Sequence, residues 1–98
     1  MHLHNQRISN FSKYYNLSSK EASALIDLFD KYLGHGYTEE IIALASKNNV
    51  DVSSQTVRHI RAGNYKNTLI FKFLTDFATS CKIKELAAQK EIKKNIKI

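Results

Sequence analysis

An all-α fold, a compact bundle of four to six helices, is predicted by three features of this sequence. Its 98 residues contain no proline and only three glycines, so little interrupts helical backbone except at a few defined points. Apolar residues recur at three- and four-residue spacing in successive segments, and alternating β-branched runs are few. Most of these segments open on Ser, Thr or Asn and close near Gly or Asn, the residue types that start and stop helices.

The first firm helix is expected from Ser18 to about Leu33. Ser18 and Glu21 form a capping-box pattern with Leu17 ahead of it as a staple. Leu25, Ile26, Phe29 and Leu33 supply an apolar stripe, and Gly34 is the expected left-handed residue after the helix. A second helix is expected to open on Thr38 as N-cap, with Glu39 and Glu40 beside the positive end of the helix dipole. It ends at Asn48 and Asn49, and residues 50–52 connect it to a third, short helix capped by Ser53 and stopped by Gly63. A fourth helix runs from Asn67 or Thr68 to Ser80 with Leu69, Ile70, Phe73, Leu74, Phe77 and Ala78 on its core face, leaving Phe71 off the stripe and available for a second contact surface.

The two ends read differently. Ile8, Phe11, Tyr14 and Tyr15 suit a short helix that packs on the core or on a second subunit. From Lys82 onward, Ile83, Leu86, Ile92 and Ile96 suit a fraying helix. Six lysines and two glutamates lie there, so four of the six net positive charges belong to this tail.

A net charge of +6 favours a polyanionic partner, nucleic acid before an anionic membrane surface. Cys81 is the only cysteine, which excludes an intrachain disulfide and a cysteine-based zinc cluster and fits a reducing compartment. No apolar run approaches the roughly 20 residues of a membrane span, and the first residues lack the pattern of a secretory signal. A cytoplasmic protein, associated with the nucleoid, is expected.

The stretch from Thr38 to Ala45, then Val52, Ser53, Ser54, Gln55, Thr56, Val57, Arg58, His59 and Ile60, followed by Arg61, Ala62, Gly63 and Asn64, resembles a bacterial helix-turn-helix regulator. The segment from Leu69 to Leu74 resembles the fourth helix of the phage-repressor-like class. The connection between the paired helices is about two residues longer than that class uses, and Asn49 to Asp51 stand where the glycine of its tight turn is expected. The resemblance implies a DNA-binding domain over residues 18–80, flanked by an N-terminal extension at 1–17 and a basic helix or tail at 81–98.

Its residues suit that chemistry. Val52, Val57 and Ile60 would pin the short helix to the core, leaving Ser54, Gln55, Arg58 and His59 to read base edges. Arginine pairs bidentately with guanine and glutamine with adenine. Thr38, Ser53, Arg61, Asn64, Tyr65, Lys66 and Asn67 are the expected phosphate contacts, and no acidic residue stands between Asp51 and Asp76. The class further implies a homodimer on a two-fold-related stretch of double-stranded DNA, acting as a repressor. No small-molecule effector and no cofactor are readable.

An enzyme is not expected. Asp27 with Asp30, and Glu39 with Glu40, are explained by solvation and by the helix dipole, and neither a nucleophile constellation nor a Gly-rich phosphate loop is present. Two other readings stand beside the regulator. One is a small helical protein-interaction module, adaptor or antitoxin-like, with a basic surface. The other is an RNA-binding protein that uses Tyr65 for stacking.

Overall fold

The computed structural model describes residues 2–96. Five helices follow one another: α1 His2–Tyr15, α2 Ser19–Tyr32, α3 Tyr37–Lys47, α4 Ser54–Ala62 and α5 Thr68–Asn95. The fold is all-α, with no strand among the described residues. Among the described residues, no helix is long and apolar enough to cross a membrane.

Local chemistry sets the boundaries. The Ser18 hydroxyl accepts from the Glu21 amide at 3.1 Å while the Glu21 carboxylate accepts from the Ser18 amide at 2.9 Å, the reciprocal cap expected for α2. Ser53 and Asn67 cap α4 and α5, accepting from Thr56 and Ile70 amides. Three helices end alike, with a left-handed residue followed by a bond back across the last turn. Asn16, Asn49 and Gly63 have φ of 55°, 60° and 84°, and the amides after them return to Ser12, Ala45 and His59 carbonyls at 3.1, 2.9 and 2.9 Å.

Between α2 and α3 the expectation is corrected. Gly34 is not left-handed; Gly36 is, at φ 87°, and it is the N-cap of α3. Thr38 therefore lies inside the first turn, only 8% exposed, with its hydroxyl 3.2 Å from the Glu39 carboxylate. Starting the helix two residues earlier makes Tyr37 its first residue, which packs against the core.

The core joins all five helices through Phe11, Ala22, Ile26, Phe29, Ile41, Ala45, Val57, Ile60, Ile70, Phe71, Leu74 and Ala78. Phe71 is at its centre rather than on an outer surface. Its ring stacks on Tyr15 at 3.8 Å and meets Phe11 and Phe29 edge-on at 5.0 and 5.5 Å. The arrival of α1 on that side widens and rotates the buried arc of α5, so Leu69 is left exposed instead. The N-terminal segment forms a helix that packs on the core: α1 starts at His2, and its Phe11 is fully buried.

The α5 helix also departs from expectation. It does not end at Ser80 but continues unbroken for 28 residues, about 42 Å. Nothing in Ser80, Cys81 or Lys82 stops a helix, and their backbone bonds simply continue. Every residue from 82 to 96 is exposed. This arm raises the radius of gyration to 15.4 Å, against about 13 Å for a compact chain of this length.

Candidate nucleic-acid interface

Helix α4 is amphipathic over barely two turns. Val57 and Ile60 are completely buried, whereas Gln55, Arg58 and His59 are exposed. Spacings of three and four residues put those three on one side of the helix. Ser54, one turn before Arg58, is half-buried at their edge. The four residues expected to read bases thus share one end and flank of a single helix.

Six residues, 48 through 53, join α3 to α4, more than the three or four of a short helix-turn-helix connection. Asn49 supplies its left-handed residue, the part otherwise given to glycine, and the Val50 amide closes on Ala45. Val50 and Val52 then pack against the core, so the longer connection is tied down at both ends.

The C-terminal end of α4 is held from two sides. The Arg61 guanidinium donates to the Leu33 and Phe29 carbonyls at 3.1 and 3.2 Å, at the C-terminal end of α2, where the Phe29 carbonyl also accepts from the Leu33 amide. It also lies 3.6 Å from Asp30 and over the Tyr37 ring at 4.8 Å. With its side chain only 21% exposed, Arg61 is a strut between α4 and α2, placed apart from the exposed residues expected beside it as phosphate contacts. Thr38 is also covered, inside the first turn of α3 and not at its cap.

From the other side, Asn10 on α1 donates to the Gly63 carbonyl at 2.8 Å and Arg7 to the Arg61 carbonyl at 3.2 Å. Gly63 is required here twice over: its φ is 84°, and a Cβ would come 3.3 Å from the Phe11 ring. Arg7 and Asn10 were not among the expected functional residues. The signal was present, because Arg7, Asn10 and Phe11 are spaced as one face of a helix.

The remaining expected phosphate contacts follow α4 directly. Asn64, Tyr65 and Lys66 are exposed in the turn before α5. Ser53 is exposed at the start of α4, its hydroxyl bonded to the Thr56 amide. Asn67 is half-buried; its side-chain oxygen caps α5, and its amide donates to the Tyr15 hydroxyl at 3.2 Å. Burial pushes the Tyr15 phenol up from its ordinary pKa, partly offset by that bond.

Charge around α4 is sparse. Lys72 is neutralised by Asp76 at 2.9 Å, while Arg58 and Lys66 make no ion pair among the described residues. Among the same residues, no three His, Cys, Asp or Glu side chains gather as a metal-ligand set. No family model, curated protein or solved structure matches the chain.

Proposed function

We propose that the protein is a sequence-specific DNA-binding regulator, a repressor acting as a homodimer on two-fold-related sites, with α4 entering the major groove. The observation that carries this reading is the division of α4: Val57 and Ile60 are sealed into the core while Gln55, Arg58 and His59 stand free on the outside. A rigidly seated helix with a glutamine and an arginine one turn apart has the donors and acceptors that read adenine and guanine. Lys66, Tyr65 and Asn64, in the turn that follows, lie within reach of a backbone flanking that groove and anchor the helix there.

Selection of bound duplexes from a random library tests the proposal. A recovered consensus supports it, and equal retention of all duplexes opposes it. Arg58→Ala is expected to relax preference at one base position, where a good bidentate pair contributes about 1–3 kcal/mol. Lys66→Ala is expected to weaken every sequence alike and to reduce the salt slope by about one counterion. Filter binding of both variants on selected and scrambled duplexes separates the two effects.

One observation favours a second reading, a protein-interaction module: Ile83, Leu86, Ile92 and Ile96 are all more than half exposed on the α5 arm. Tight binding to an acidic protein without duplex affinity at moderate salt would decide for it. Tyr65, 53% exposed, is the corresponding feature for RNA, whose signature is preference for single strands or hairpins.

A further inference from the structure

Beyond Cys81 the α5 helix leaves the body, and from Lys82 every described residue is exposed. Over residues 82–95 this arm carries five lysines, two glutamates and no arginine. The three arginines of the chain, Arg7, Arg58 and Arg61, all stand in the body. The arm's lysines are not scattered round the helix. At about 100° per residue, Lys82, Lys90, Lys93 and Lys94 fall within an arc of about 120°, and Glu85 and Glu91 lie about 60° outside its two edges. One side of the arm is therefore lined with lysine and free of acid over about 18 Å of helix axis.

A solvated helix that stands alone offsets its lysines with carboxylates one turn away. This arm does not. Lys90 and Lys93 have no carboxylate three or four residues away in either direction. None of the five lysines makes an ion pair among the described residues. Lys90 and Lys94, four residues apart, instead repel each other across one turn. The helix dipole accounts for Lys93 and Lys94 in the last turn, but not for Lys82 or Lys90. The exposed apolar residues share no one side: Ile83 and Ile92 are nine residues apart, two and a half turns, and so point in opposite directions. A membrane surface, which takes one continuous apolar face, is not matched. What the lysine side matches is a polyanion.

We infer that the lysine side of the α5 arm is a second, sequence-independent contact to the phosphate backbone of duplex DNA, additional to the one made through α4. Lysine is a point charge on a flexible stem, which meets a phosphate wherever it lies and reads no base, whereas Arg58 on α4 has the planar fork that pairs with a base edge. Over the length of the row a single strand offers about five phosphates, at one per about 3.4 Å. Four lysines on one side therefore have a phosphate each within the span they cover, and each contact releases counterions from the duplex.

The inference rests on duplex binding in the regulator reading and is independent of base recognition. The test is equilibrium binding of the full-length protein to a selected and a scrambled duplex across a salt series, read as the slope of log K against log salt. The triple variant Lys82→Gln, Lys90→Gln, Lys93→Gln keeps helix propensity. It is expected to make the slope shallower by about 2.7, at about 0.9 per phosphate, and to weaken both duplexes by the same factor. A second triple variant, Lys13→Gln, Lys20→Gln, Lys47→Gln, removes the same charge from exposed positions of the body and is expected to keep the wild-type slope. An arm variant with the wild-type slope overturns the inference, and so does a body variant whose slope falls as far. A wild type that holds all duplexes alike, with a slope that still depends on the arm, removes base recognition and leaves the arm contact standing. A recovered consensus with an arm-independent slope does the reverse.

Discussion

Arg58 and Arg61 are three residues apart on the same short helix and meet opposite environments. Arg58 is exposed and unpaired among the described residues, whereas Arg61 closes the end of α2 through two carbonyls and a tyrosine ring. Arg61→Ala removes two charge-assisted bonds to the end of α2, where only the Phe29 carbonyl keeps another partner, the Leu33 amide. The expected loss is about 2 kcal/mol, or roughly 8–16 °C in Tm for a chain of this size. Arg58→Ala is expected to leave Tm unchanged, and thermal melting followed by circular dichroism compares them. Sequence could not separate the two: both are arginines in a basic stretch, and only the chain's return of α2 to the end of α4 makes one of them structural. The exposure of Gln55, Arg58 and His59, by contrast, was readable from the spacing of Val57 and Ile60 alone.

Helix boundaries were legible wherever a side chain itself supplies the cap. Ser18, Ser53 and Asn67 do so, and α2, α4 and α5 start beside them as expected. The start of α3 was missed because its cap is Gly36, a residue chosen for backbone conformation and carrying no side-chain signal. The continuation of α5 was missed for a related reason. Its apolar line loses its partners at Cys81, and a weakened pattern reads as an end although no breaker is present. The α2 cap also has a titration signature. The Ser18 amide and hydroxyl, in that order, hold the Glu21 carboxyl below its usual range. A pKa lowered on folding adds stability above the unfolded value and forfeits it as pH falls through the folded one. Glu21→Gln keeps the reciprocal cap and is expected to flatten the acid limb of stability against pH. Ser18→Ala is expected to lower stability by about 1 kcal/mol near neutrality. Urea titrations at several pH values check both.

At the scale of the whole molecule, one aromatic cluster decides how the helices close. Phe11 and Tyr15 from α1, Phe29 from α2 and Phe71 from α5 meet in mutual contact. The pattern of each helix showed that it has an apolar face; it did not show which helix covers which, and so Phe71 read as surplus. Phe71→Ala is expected to cost about 3–5 kcal/mol, a large part of the 5–15 kcal/mol typical of a domain. Because α1 also grips the end of α4 through Arg7 and Asn10, the same change is expected to loosen α4. Urea unfolding gives the loss, and amide exchange at Asn64, whose N–H closes on His59, reports the loosening.

Only the first half of α5 is seated, and the helix passes from clamped to free without a joint. Because the helix is continuous there, a change of about 10° in the direction of the seated half carries the far end of the exposed half through about 4 Å relative to Cys81, given a rise of about 1.5 Å per residue. The chain thus carries a pointer whose base is set among aromatic rings, so that its direction follows how those rings pack.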